Sequence, residues 1–111
     1  MRPLLATLRT KKRYVAFEAI TLENPNQNEV FNTIGNNLLQ LEGSKKYGES
    51  ELTMPIYNTK TKRGILKVGN KHSKALIAST VFINQINNKP VIIKTLKTSG
   101  MIHKMKTLVE G

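Results

Sequence analysis

Three groups of cationic side chains are the residues in this sequence best suited to chemistry. Arg9, Lys11, Lys12 and Arg13 sit near the start. Lys60, Lys62 and Arg63 follow in the middle and continue through Lys67, Lys71 and Lys74, and Lys94, Lys97, Lys104 and Lys106 lie near the end. Such groups hold phosphates by charge and release the counterions condensed on a nucleic-acid backbone. Arginine adds a planar, two-pronged contact, while lysine acts as a movable point charge. A single exposed cation is often idle, so the pattern argues only as a set.

The set is large for the chain. Eighteen Lys and Arg against seven acidic residues leave 111 residues with a formal charge of +11. Residues 57–111 hold eleven basic residues and one acid, Glu110; residues 1–56 hold seven and six. A fold does not require that excess, and its self-repulsion costs stability, so a polyanionic partner is expected. Nucleic acid fits better than a membrane, because no apolar run reaches the length of a bilayer span.

Catalytic groups are sparse. The chain has no Asp and no Cys, which removes thiolate zinc sites and disulfides. Glu18, Glu23, Glu29, Glu42, Glu49, Glu51 and Glu110 show no metal-ligand spacing, and His72 and His103 stand far apart with no local partner. No glycine-rich phosphate loop is present. The expectation is a chain that binds no cofactor and is non-catalytic when isolated.

The elements that must position these residues follow from periodicity. Residues 1–12 read as a basic N-terminal arm and residues 13–111 as one domain with one core. Arg13–Leu22 alternates as a strand, with Val15, Phe17 and Ala19 on one face and Tyr14, Ala16 and Glu18 on the other. Val30, Ile34, Leu38 and Leu41 fall at helical spacing over residues 28–42, with Asn26 or Asn28 as cap, Gly43 as terminator and Gly35 as a place of close packing. Ser44–Glu51 reads as a polar loop. Leu52–Tyr57 and Arg63–Gly69 read as a hairpin, with Pro55 placing the first of the pair at a sheet edge. Lys71–Ile86 reads as a second helix and Val91–Lys97 as a last strand. The order strand, helix, strand, strand, helix, strand is the split βαβ, or ferredoxin-like, α+β sandwich: a four-stranded antiparallel sheet with both helices on one face and the other face free to meet a partner.

The string Arg63-Gly64-Ile65-Leu66-Lys67-Val68 is similar to the opening of the RNA-recognition-motif signature, but Ile65 and Lys67 stand where stacking aromatics belong. Backbone or shape recognition is therefore expected rather than base stacking. Tyr14 is the remaining stacking candidate, although a strand tyrosine more often rims a core.

Larger blocks carry a family resemblance. Pro3 through Leu8-Arg9, then Lys11-Lys12-Arg13-Tyr14-Val15-Ala16-Phe17-Glu18, the run from Thr61 to Ile86, and Ser99-Gly100-Met101-Ile102-His103-Lys104 resemble, in order and spacing, the ribonuclease P protein component 2 family of archaeal type. Met101 and His103 depart from the Thr and the permanent cation usual in that ending. The start, Met1-Arg2-Pro3-Leu4-Leu5, lacks the apolar stretch of a secretory signal, so the cytoplasm is the expected compartment. The resemblance implies a subunit of the ribonucleoprotein that removes 5′ leaders from precursor tRNA. In such a particle the RNA carries the active site and its Mg²⁺ ions. The implied partners are ribonuclease P RNA, precursor tRNA, protein component 3, and a second copy at the centre of a heterotetramer. The expected RNA contacts are Arg9, Lys11, Lys12, Arg13, Tyr14, Lys60, Lys62, Arg63, Lys67, Lys71, Lys74 and Lys104, with an apolar sheet or helix surface left for component 3. The residues alone also allow a generic RNA-binding or ribosomal ferredoxin-like domain, or a non-catalytic oligomeric interaction module.

Overall fold

A computed structural model describes residues 11–110, apart from the side chain of Lys104. Most of the expected N-terminal arm therefore lies outside the described residues. The first strand, β1 (Lys12–Ile20), buries Val15, Phe17 and Ala19 towards the main core and turns Tyr14, Ala16 and Glu18 the other way. Helix α1 (Gln27–Glu42) begins with a reciprocal cap: Asn26 accepts from the Glu29 amide, and Glu29 accepts from the Asn26 amide. It ends at Gly43, whose φ of 85° favours a residue without a Cβ. Val30, Ile34 and Leu38 form its buried stripe, but Leu41 stays 53% exposed and drops out of it. Gly35 does allow close packing, since a Cβ there would stand 2.8 Å from the Tyr47 hydroxyl.

The stretch expected as a polar loop is instead a short helix, α2 (Ser44–Ser50). Its Ser and Gly content hides it from propensity arguments. A tertiary contact holds it, Tyr47 packing on the core over Gly35, and within the helix the buried Ser50 hydroxyl donates to the Tyr47 carbonyl at 2.6 Å. Strands β2 (Thr53–Asn58) and β3 (Arg63–Gly69) form the expected hairpin, with Pro55 on an edge strand.

The second helix is shorter than expected. A 3₁₀ turn (Asn70–His72) leads into α3 (Ser73–Thr80), which then stops. Ile83 and Ile86 reach the core from a tight turn and from a small ribbon, β4 (Gln85–Ile86) and β5 (Lys89–Pro90), while Val81 and Phe82 face outward. Asn87 and Asn88, both at positive φ, make the two-residue turn that such a ribbon demands. The last strand, β6 (Ile92–Ser99), runs slightly later than expected.

The sheet order is β2-β3-β1-β6, antiparallel throughout, with α1 and α3 packed on one face: the ferredoxin-like arrangement. The expectation of a free opposite face does not survive. A 3₁₀ turn (Ile102–Lys104) and helix α4 (Lys106–Glu110) fold back over it, burying Met105 and Val109 against Ala16 and Ile65 in a second, smaller core. The apolar residues on that face drive this closure, because leaving Ala16 and Ile65 exposed beside Ile56 and Leu96 would waste their burial. Among the described residues, no helix is long and apolar enough to cross a membrane.

Candidate nucleic-acid interface

Antiparallel pairing decides which cations meet. Lys12 lies opposite Gly69 and Arg13 opposite Val68, and the Asn70 amide donates to the Lys11 carbonyl at 2.6 Å. The start of β1 and the segment leaving β3 thus share one end of the sheet. Lys11, Arg13, Lys71 and Lys74 are all exposed, and among the described residues none of the four makes an ion pair. Lys12 differs: its ammonium is buried near Glu51 Oε1 at 3.0 Å, a charge contact without hydrogen-bond alignment. The first turn of α3 has no acid and no side-chain cap, so its amides and the flanking lysines bear the same sign of charge. For folding alone that placement is unfavourable. An anion reverses its sign.

Tyr14 and Lys67 face each other across β1 and β3, and Ser99 of β6 lies on the other side of Tyr14. Both Tyr14 and Lys67 are half-buried, and Tyr14 packs against the small core under α4. One row along, Lys97 stands opposite Ala16, and Lys94 stands opposite Glu18. Lys94 and Lys97, members of the third cationic group but absent from the expected RNA contacts, are exposed on the α4 side of the sheet. The signal that finds them is strand alternation read together with the register.

The Lys60–Arg63 group is at the opposite end of the sheet. Arg63 pairs with Glu18, five residues along β1 from Arg13, or roughly 17 Å at strand rise. The structure therefore separates the two clusters. Lys60 is exposed, but its neighbours have structural partners. Lys62, at φ 58°, donates from Nζ to the Thr21 carbonyl at 2.7 Å. Arg63 donates to Glu18 Oε1 at 3.4 Å and to the Leu108 carbonyl at 2.8 Å. Thr61 and Asn58 donate to the Val109 carbonyl at 2.7 and 3.3 Å, so this end serves as a cradle for the last turn of α4. Arg9 and the Lys104 side chain lie outside the described residues.

Gly64 explains the shape of the Arg-Gly step. It sits between the rings of Phe17 and Tyr57, whose centroids are 6.3 Å apart, and a Cβ there would meet both rings at 2.9 Å. The Tyr57 hydroxyl is pushed above its ordinary pKa of 10.0 by burial. His72 does not face solvent freely; its Nδ1 lies 3.1 Å from Glu42 Oε1, joining the segment before α3 to the end of α1. Among the described residues, no group of three or more His or Glu side chains stands close enough together to hold a metal ion.

Comparison with known proteins fits this geometry. Residues 13–109 match the profile of the Rpp14/Pop5 family. The chain is 31% identical to ribonuclease P protein component 2 of Pyrococcus furiosus over 95% of its own length and 88% of the relative's. It is 34% identical to the protein of that name from Methanocaldococcus jannaschii, over 96% and 78% of the two chains. In fold, it is similar to a chain in a cryo-EM structure of yeast ribonuclease MRP. The TM-score is 0.63 at 12% identity, over 85% of this chain and 77% of that one. The chain belongs to the Rpp14/Pop5 family, whose members in these archaea are ribonuclease P protein component 2.

Proposed function

We propose that this ribonuclease P protein subunit acts as an electrostatic support for the RNA that removes the 5′ leader from precursor tRNA. Lys11, Arg13, Lys71 and Lys74 contact RNA phosphates from one end of the sheet, with Lys67 and Tyr14 continuing the surface and Lys60 offering a separate contact at the far end. By lowering repulsion between phosphates brought close together, these cations make the metal-binding conformation of the RNA the populated one. Catalysis and Mg²⁺ belong to the RNA, and the chain supplies no acid, base or metal ligand to the cut. Protein component 3 and a second copy of the chain complete the assembly, in the cytoplasm.

The observation that carries this reading is the convergence, at one sheet end, of Lys11 and Arg13 from the start of β1 with Lys71 and Lys74 from the β3–α3 connection, none of which makes an ion pair among the described residues. Reconstitution tests it. Precursor-tRNA cleavage by ribonuclease P RNA with component 3 is measured with and without the chain across a Mg²⁺ titration. The chain is expected to lower the Mg²⁺ needed for half-maximal cleavage. An unchanged Mg²⁺ requirement together with no binding to the RNA would reject the proposal.

A further inference from the structure

The two edges of the sheet are built differently. β2 carries Pro55, which has no N–H to offer, and slips register between Thr53 and Ile56. β6 runs from Ile92 to Ser99 and, among the described residues, pairs with β1 alone, so its outer row of amides and carbonyls points away from the sheet. A groove of about 470 Å³ lies along its first half, between the strand and the turn that follows α3. Val81 and Ile92, on its walls, are 76% and 64% exposed. Ile20, the cross-strand neighbour of Ile92, is 46% exposed, and Leu22 extends the strip. Apolar side chains scattered singly need no explanation, but a contiguous strip beside an open strand edge is suited to strand addition.

Charge decides what fits there. Two copies laid antiparallel along β6 in full register would set Ile92 against Ser99, and so Lys94 against Lys97 twice over. Like charges directly opposite destabilise a strand pair, and each chain already carries +11. Nucleic acid satisfies the lysines, yet it has no strand ladder to add and no apolar side chains for Val81 and Ile92. We infer that β6 accepts an extended, carboxylate-bearing segment of a different protein as a fifth strand. Apolar residues on that segment cover Ile92 and Val81, and carboxylates stand opposite Lys94 and Lys97. The inference rests on the reading of the chain as a ribonucleoprotein subunit that binds another protein, and it names the surface.

Component 3 is the probe. Amide hydrogen exchange along Ile92–Ser99 is compared in the free chain and in its complex with component 3. Alternate β6 amides are expected to slow by about tenfold or more on binding. Ile92→Glu and, off the sheet, Val81→Glu are each expected to weaken the complex by about tenfold without changing RNA affinity. The second variant guards against a folding defect in the first. Three results overturn the inference: no complex with component 3, a complex in which β6 exchange is unchanged, or self-association that protects β6 and is lost in Ile92→Glu. The subunit reading is judged apart from these, by RNA binding and precursor cleavage, so the two can fail separately.

Discussion

The guanidinium of Arg63 donates to the carbonyl of Leu108 at 2.8 Å, tying a central strand of the sheet to the last turn of the C-terminal helix. The same side chain reaches Glu18 Oε1 at 3.4 Å. A cation at the C-terminal end of a helix complements its dipole, and arginine's fork allows one residue to serve a carbonyl and a carboxylate together. The Arg-Gly step is thus a structural joint: Arg63 anchors α4 on one face of the sheet, while Gly64 makes room for two rings on the other.

Removing the joint should loosen α4 before it unfolds the domain. Arg63→Ala is expected to cost about 1–2 kcal/mol, since the lost hydrogen bond involves a charged donor at a site roughly a third exposed. Denaturant midpoints measure the loss. Amide exchange in Met105–Val109 should accelerate more than exchange in β1. Arg63→Lys should recover only part of both effects, because one ammonium cannot reproduce the fork.

Gly64→Ala tests the opposite face. The new methyl would overlap Phe17 and Tyr57, so destabilisation of about 1–3 kcal/mol is expected from overpacking. In a Tyr57→Leu background the penalty should shrink by about 1 kcal/mol, a coupling that a double-mutant cycle reads directly. Equal penalties in both backgrounds would show that the Tyr57 ring is not the obstacle.

Burial of Tyr57 gives the domain a pH dependence at the alkaline end. The unfolded tyrosine ionises at its ordinary pKa and the folded one only above it, so protons are held more tightly by the native state. That contribution is intact below pH 10.0 and is lost as pH rises from there through the higher folded value. Wild type should lose stability faster than Tyr57→Phe above that point. Lysine deprotonation is common to both proteins and cancels in the difference.

The salt dependence of RNA binding separates the two ends of the sheet. Replacing Lys11, Arg13, Lys71 and Lys74 together with Ala should flatten the plot of log affinity against log salt by about three units, at roughly 0.7–0.9 per phosphate contact. Lys60→Ala should remove about one unit. Lys62→Ala should remove less, because its ammonium already rests on the Thr21 carbonyl. A quadruple variant with the wild-type slope would place the RNA elsewhere.

Much of this molecule is determined locally. Alternation in β1 and β3, the Asn26–Glu29 cap, Gly43 as terminator and Pro55 on an edge strand were all legible, because each follows from short-range sterics and hydrogen bonding. The charge excess and the family resemblance were legible for the same reason: they are properties of residue type and order. Three features were not. α2 is held by Tyr47 packing on the core over Gly35 rather than by propensity, so only packing reveals it. The stretch after Thr80 has apolar residues at spacings that suit a helix, and the choice of a turn and ribbon depends on which of them reach the core. The closure of α4 over the sheet depends on Arg63, Thr61 and Asn58 holding carbonyls some 45 to 51 positions away in the chain. The expected strand order already put Arg13 and Arg63 towards opposite ends of the sheet, but the meeting of Lys11 with the segment that leaves β3 needed the register itself. Antiparallel register sets Arg13 beside the start of α3 and sends Arg63 to the far end, because strand pairing converts separation along the chain into proximity or distance in space.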